Sequence, residues 1–339
     1  MTTALPIAEF IKYRPDCALI DVRTPVEFAK GHIPTAVNVP LFNNEERAEI
    51  GTLYKQHNRE AAILRGLDFV GPKMRSLVET TQRVSTQQSI CLYCWRGGMR
   101  SQSVAWLLST YGYHTYTLKN GYKAFRNYIL EAFELPHHLL IISGKTGTGK
   151  TAILQALRQK RQQVVDLEAL ARHKGSAFGG IGQPEQPTQQ QFENELGLTW
   201  RGLSVETPVW VEDESRYIGS RIIPQPIWRQ MKAAPLIFVD MPLDLRVERL
   251  VQEYGQQDIT SLVAAIDKIK KRLGGPQAQQ AIAALHRGDL TTSCAILLEH
   301  YYDKAYLHSL SHKPPDCIRH VRVDSTDPVE NAERVLQAL

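Results

Sequence analysis

Two stretches of this chain hold residue types at spacings that could do chemistry, and the first is CWRGGMRS, residues 94–101. An apolar run, SICLY, precedes it and reads as a buried strand, which puts Cys94 at the strand's end. Gly97 and Gly98 permit a tight loop with several amides turned inward, and a helix is expected to open near Arg100 and Ser101. Inward amides and a helix N-terminus stabilise negative charge, whether on a sulfur or on an anion above it. Arg96 and Arg100 add forked donors suited to a phosphate-like group. A cysteine buried only for packing would not call for such neighbours. Cys91 is the packing case: three residues earlier on a strand it faces away from Cys94, so the two are not expected to pair or to share a metal.

The second stretch is GKTGTGKT, residues 144–151. It fits G-x-x-x-x-G-K-T, and it lies between an apolar strand, LLIIS, and an amphipathic helix, AILQALRQKRQQ, the context a phosphate-binding P-loop demands. Gly144, Gly147 and Gly149 let backbone amides close on phosphate oxygens, Lys150 neutralises them, and Thr151 can ligate Mg²⁺. Downstream, PVWVEDES ends a strand in acids, with Asp213 or Glu212 placed to hold the metal's water; three acids on an exposed loop is the competing reading. The basic run KIKKRLGG, residues 268–275, reads first as a solvated helix face and second as a contact for an RNA backbone. Trp95, Tyr122 and Phe125 could stack on an unpaired base or fill a seam between domains.

The elements that position these residues alternate. ALIDV, AVNVP, SICLYC and HTYTLK read as strands, with helices at RTPVEFAKG, EERAEIGTLYKQ, PKMRSLVETTQRV and RSQSVAWLLSTYG. An aromatic-rich linker helix, GYKAFRNYILEAFELP, closes this series at Pro136. A second series follows, with strands at LLIIS, VVDL, PVWVED, PLIFVD and HVRVDS and a last helix at PVENAERVLQAL. Such alternation predicts an α/β fold with two parallel-sheet domains, residues 1–136 and 137–339. The segment GSAFGGIGQPEQPTQQQ is expected to be a mobile surface loop.

Bulk properties agree. A length of 339 residues suits two domains, and 43% hydrophobic with 22% charged residues suits packed cores rather than a disordered or collagen-like chain. The net charge of +5 is compatible with a nucleic-acid partner without requiring one. Five scattered cysteines make no disulfide framework, and no stretch is apolar enough for a signal peptide or a membrane span. A cytoplasmic protein without a membrane partner is the expectation.

LIDVRTPVEFAKGHIPTAVNVP resembles the N-terminal signature of rhodanese-like domains, with Cys94 where those domains carry sulfur; Asp21 and His32 of this signature read as structural. Thr35 stands where they commonly have glycine, a departure that touches a turn rather than the chemistry. Cys94 and Arg100 also match the Cys-x5-Arg spacing of phosphatases that form a phosphocysteine. Joined to a P-loop domain, and with CWRGGMRSQS, GTLYKQ, SGKTGTGKT and WVEDESRYIG, the chain resembles the tRNA 2-selenouridine synthase family nearly end to end. The resemblance implies a transferase that acts on tRNA carrying a wobble 2-thiouridine. The sulfur is first S-geranylated from geranyl diphosphate, and selenophosphate then supplies selenium, with Cys94 as its carrier. Selenophosphate would lie in the loop of Arg96, Gly97, Gly98, Arg100 and Ser101. The diphosphate would lie on Gly144, Gly147, Gly149, Lys150 and Thr151, with Mg²⁺ held by Thr151 and Asp213. It implies no tightly bound cofactor and leaves room for the selenophosphate-supplying enzyme as a partner. Two other classes stay open: an ATP-dependent tRNA sulfurtransferase or kinase with a rhodanese sulfur relay, and a Cys-x5-Arg phosphatase or phosphoprotein-binding module.

Overall fold

The structure is a computed structural model that describes residues 2–13, 16–310 and 314–339. The chain divides into two compact units, one running to Ala132 and including Glu193–Leu198, the other made of Phe133–Phe192 and Thr199–Leu339.

The first unit is a five-stranded parallel sheet of β1 (Thr2–Leu5), β2 (Ala18–Asp21), β3 (Val37–Asn38), β4 (Ser89–Tyr93) and β5 (His114–Leu118), in the order β1-β5-β4-β2-β3. Parallel neighbours need crossovers, which here are α1 (Ile7–Tyr13), α2 (Pro25–Lys30), α3 (Asn44–Gln56), α4 (Arg59–Val70), α5 (Met74–Val84) and α6 (Met99–Tyr111); α7 (Gly121–Ala132) follows the last strand. With helices against it the sheet buries its strands, so β4 reads as one apolar run. Ile20, Ile90, Leu92, Val104 and Leu108 make its core. α2 starts where the sequence says it must: Thr24 caps it, Pro25 opens it, and the Glu27 carboxylate returns to the Thr24 amide.

β1 has no counterpart in the strands read from sequence. TTAL is four residues long, and only its register with β5, Thr2 opposite Thr115, makes it a strand. Asp21 and His32 serve the fold. Arg23 grips the buried Asp21 carboxylate through Nε at 2.9 Å, with its guanidinium 3.8 Å above the Tyr122 ring. His32 stacks on Phe28 at 3.9 Å and bonds to its carbonyl oxygen at 3.1 Å. Thr35 adopts φ 75°, so a β-branched residue occupies a left-handed turn.

The second unit carries a five-stranded parallel sheet of β6 (Leu139–Gly144), β7 (Gln163–Val165), β8 (Val209–Glu212), β11 (Leu236–Asp240) and β12 (Ile318–Arg322), ordered β12-β11-β6-β8-β7. A small antiparallel hairpin, β9 (Tyr217–Ile218) with β10 (Arg221–Ile222), was not read from sequence. β6 is central and wholly buried, and the chain leaves it in opposite directions along the sheet, so the loop after it sits at the topological switch point. The helices are α8 (Lys150–Gln159), α9 (Leu167–Ala171), α10 (Gln189–Arg201), α11 (Gln225–Ala233), α12 (Leu243–Tyr254), α13 (Ile259–Leu273), α14 (Gly275–His286), α15 (Leu290–Leu297), α16 (Asp303–Leu310) and α17 (Pro328–Gln337). Ile142, Ile153, Leu154, Trp210 and Val335 belong to the sheet core. A separate cluster gathers Leu262, Ile266 and Ile269 of α13, Leu285 of α14 and Leu297 of α15.

The Gly- and Gln-rich segment after α9 differs from expectation. Phe178 is buried in the α13–α15 cluster, and Gln186 donates to the Ala171 and Ile218 carbonyl oxygens at 2.9 and 3.0 Å. One aromatic and one amide pin a stretch whose composition suggests a free loop. Lys268, Lys270, Lys271 and Arg272 are exposed on α13, the last three in its final turn, where cations complement the helix dipole. Among the described residues no helix is long and apolar enough to cross a membrane.

Candidate active site

Cys94 sits directly after β4, 3% exposed, with its Sγ turned toward the first turn of α6. The Ser101 hydroxyl lies 3.3 Å from that sulfur and 3.2 Å from the Gly98 carbonyl oxygen, which is itself 3.9 Å from the sulfur. A hydroxyl has one proton, so Ser101 can turn it to the sulfur when the sulfur is charged, while the thiol proton would go to Gly98. The loop rests against the β5–α7 turn: the Tyr122 and Lys123 amides donate to the Cys94 and Trp95 carbonyl oxygens at 2.8 and 3.0 Å. Gly97 has φ 64°, and a Cβ there would come 2.4 Å from the Leu118 carbonyl oxygen, so no other residue fits. Gly98 faces open space, which leaves room for a ligand beside the sulfur.

The two arginines divide. Arg96 is exposed and available to an anion. Arg100 donates to Glu27 through both terminal nitrogens, at 2.7 and 3.3 Å, so here it ties the loop to α2 instead of presenting its fork to a phosphate. Burial pushes the Glu27 carboxyl up, but the Arg100 guanidinium and the Thr24 amide outweigh it and hold the group below the ordinary carboxylate range. Of the aromatics, Trp95 is 38% exposed and can meet a base, whereas Tyr122 and Phe125 are fully buried and cannot. Cys91 is buried beside Cys17, and burial pushes its thiol up, as suits a core residue.

In the second unit Gly144, Gly147, Gly149, Lys150 and Thr151 border one cleft of ≈ 270 Å³. Gly149 precedes α8 with φ 73°, and a Cβ there would lie 2.4 Å from the Arg249 guanidinium, so glycine lets that cation close on the loop. Lys150 Nζ donates to the Gly144 carbonyl oxygen at 3.1 Å. Arg246, buried and forked onto Asp303 at 2.8 Å, braces the Thr146 carbonyl oxygen from behind. Arg249 and Lys174 also line the cleft; neither was singled out in the sequence.

The acids differ from the expected pair. Thr151 Oγ1 faces Glu212 at 3.0 Å and Glu168 at 3.1 Å, not Asp213. Neighbours at a strand end point to opposite sides, and Asp213 instead bonds to Ser143 and Tyr306. Glu168, Glu212 and Glu214 each bring an oxygen within 4.8 Å of the others, and Glu212 Oε2 is buried without a hydrogen-bond partner. Burial first, then the Glu168 carboxylate, push Glu212 up to about 8 against the pull of Lys150. Clustered oxygens with an orphaned acceptor fit a divalent cation, which Glu168, Glu212 and Glu214, with Thr151 beside them, would hold. Glu168 was missed, because its place beside the P-loop is legible only once the strand order is known, and Glu214 was counted only among the three acids of an exposed loop.

Comparison with known proteins agrees with this architecture. Residues 8–128 match the rhodanese-like domain, and residues 137–331 match the tRNA 2-selenouridine synthase AAA domain. The tRNA 2-selenouridine synthase of Nitrosomonas eutropha is 35% identical over 352 aligned positions, covering 89% of this chain and 90% of the relative. That of Bdellovibrio bacteriovorus is 35% identical over 374, covering 96% of each, and that of Shewanella loihica is 36% identical over 330, covering 87% of each. A thiol loop on one parallel sheet and a phosphate cradle on another, matched along nearly the whole length of these relatives, place the chain in the tRNA 2-selenouridine synthase family.

Proposed function

We propose that this chain is a tRNA-modifying transferase that replaces sulfur by selenium in wobble 2-thiouridine, in two steps served by two sites. In the first, the thiouridine sulfur attacks C1 of geranyl diphosphate, the C1–O bond breaks, and diphosphate leaves from the P-loop. Lys150 and Arg249 line the cleft in which charge grows on the diphosphate, and such cations stabilise it more in the transition state than in the ground state. A bound Mg²⁺ would neutralise further diphosphate charge; Glu168, Glu212 and Glu214, with Thr151 beside them, are the residues that would hold it. In the second step selenophosphate lies in the Gly97–Gly98 loop, with Arg96 and the α6 N-terminus toward its phosphate. The selenium of selenophosphate attacks the ring carbon, the C–S bond breaks and the S-geranyl group departs as geranylthiol; the Cys94 thiolate then takes the phosphoryl group, which breaks the P–Se bond, and water releases it as phosphate. A bare thione sulfur leaves poorly, which gives the alkylation its purpose.

One observation carries this reading: a family member holds a glycine-walled thiol with an open side at Gly98 together with a complete phosphate cradle. The phosphatase alternative loses ground because Arg100 is committed to Glu27. Mass analysis of tRNA nucleosides, after incubation with 2-thiouridine tRNA, geranyl diphosphate and selenophosphate, tests the reading. S-geranyl-2-thiouridine should appear first and 2-selenouridine after it. A requirement for ATP with none for prenyl diphosphate would replace it with the ATP-dependent sulfurtransferase.

A further inference from the structure

The basic run at the end of α13 is used by neither site. Leu262, Ala265, Ile266, Ile269 and Leu273 are buried and fix the helix, which turns Lys268, Lys270, Lys271 and Arg272 out to solvent. Lys271 and Arg272 stand one turn beyond Lys268 on the same side, and none of the four has a carboxylate at ion-pair distance among the described residues. The helix dipole alone accounts for cations in a final turn, but not for what lies beside them. Burial first, then the Lys268 ammonium, hold the His173 imidazole below its usual range, so Lys268 is within electrostatic reach of that ring. A Cβ on Gly219 would come 2.8 Å from His173 Cδ2, so the β9–β10 hairpin packs on the same ring. The hairpin presents Tyr217, 58% exposed, and just before it Arg216, exposed and also without an ion-pair partner among the described residues. Both arms adjoin the P-loop cleft, since Lys174, next to His173, and Glu214, two residues before Arg216, line it.

We propose that the α13 cations and the Arg216–Tyr217 arm form the surface that holds tRNA beside the P-loop cleft, with phosphates of one strand on Lys268, Lys271 and Arg272 and an unpaired base on Tyr217. This deepens the function proposed above and rests on it. A wobble nucleoside lies in a single-stranded loop, so the strand on either side of it offers both charged phosphates and unstacked bases. Cations on a fixed helix meet the phosphates without reading sequence, and an exposed ring meets a base of any kind. A protein partner would call for an apolar centre depleted of charge, whereas this surface has five exposed cations and one ring.

The test measures binding of labelled 2-thiouridine tRNA by fluorescence anisotropy over a range of KCl concentrations, beside pyrophosphate binding by calorimetry. Each phosphate contact adds about 0.7 to the slope of log affinity against log salt. Lys268→Ala, Lys271→Ala and Arg272→Ala together should therefore flatten the slope by about 2 and weaken binding about 100-fold at about 0.1 M KCl. Tyr217→Ala should weaken tRNA binding about 5- to 150-fold, with the slope unchanged and binding to a fully paired RNA duplex unchanged. Both variants should keep their pyrophosphate affinity, which shows that the cleft still folds. If the triple variant loses it, Lys271→Ala and Arg272→Ala singly, each flattening the slope by about 0.7, keep the test open. In the complete reaction the loss should fall on KM for tRNA and not on kcat. Unchanged affinity and slope in the α13 variants overturns the phosphate contacts. A Tyr217→Ala protein that binds tRNA normally, or loses duplex RNA equally, overturns the base contact. If 2-selenouridine forms and every variant binds tRNA normally, the surface fails and the proposed function stands. If the variants lose tRNA as expected but the unaltered protein forms neither S-geranyl-2-thiouridine nor 2-selenouridine, the function fails and the surface stands.

Discussion

Ser101→Ala removes the hydroxyl that faces the Cys94 sulfur. Ser101 is fully buried on the first turn of α6, with its hydroxyl 3.3 Å from Sγ. Removing it strands no partner, because the Gly98 carbonyl oxygen still accepts from the Gln102 amide at 3.2 Å, so the loop should keep its shape. Stability should change by less than about 1 kcal/mol, the usual net worth of a neutral hydrogen bond. The functional loss should be larger, since a hydrogen bond to a charged acceptor contributes about 1.5–3 kcal/mol. At about 1.4 kcal/mol per decade, the selenium-transfer rate should fall about 10- to 150-fold. The assay is a single-turnover conversion of pre-geranylated tRNA with selenophosphate, followed by nucleoside mass analysis. Iodoacetamide labelling of Cys94 at the same pH should slow in step, whereas labelling of the exposed Cys317 should not change. A transfer rate within twofold of the unaltered protein, with a folded variant, would refute the role of that hydroxyl.

Other expectations follow from single contacts. Glu212→Gln should weaken Mg²⁺ binding about 10- to 100-fold, and in the unaltered protein Mg²⁺ affinity should rise with pH until Glu212 has lost its proton near 8; calorimetric affinity flat from pH 6 to 9 would contradict this. Thr35→Gly should stabilise the protein by about 0.5–1 kcal/mol, because relief of a left-handed β-branched residue exceeds glycine's entropy cost; a lower urea midpoint would count against it. Glu27 titrates below its unfolded value, so the stability it contributes with Arg100 is present above about pH 4.5 and lost as pH falls through the folded value. Glu27→Gln should therefore cost stability at pH 7 and progressively less toward pH 3, read from denaturant curves across that range.

The fold was legible where local pattern suffices. LLIIS and SICLY announce buried parallel strands, RTPVE a capped helix, and GKTGTGKT its own loop geometry. It was not legible where pairing is distant: TTAL becomes a strand only against β5, more than a hundred residues away. In the site, the Cys94 loop and the P-loop were readable because glycine positions report close approach. The acids were only half readable, since EDE shows three carboxylates in a row but not that Glu212 turns to Thr151 and Asp213 away from it. Glu168 enters from α9, which follows another strand. The apolar pocket beside the P-loop was invisible because its walls come from separate helices and from Phe178, in a segment whose composition suggests no packing at all.

The two-step scheme is tested most directly by giving the Lys150→Ala protein each form of the tRNA. Lys150 lines the P-loop cleft, and losing a donor that stabilises developing charge typically costs ~100–1,000-fold in rate. With 2-thiouridine tRNA, geranyl diphosphate and selenophosphate, the variant should form almost no 2-selenouridine. With tRNA already S-geranylated it should form 2-selenouridine at the rate of the unaltered protein, through an intact Cys94 loop. If pre-geranylated tRNA is still not selenated by the variant, the P-loop serves the second step or the tRNA itself, and the division of labour between the two sites is wrong.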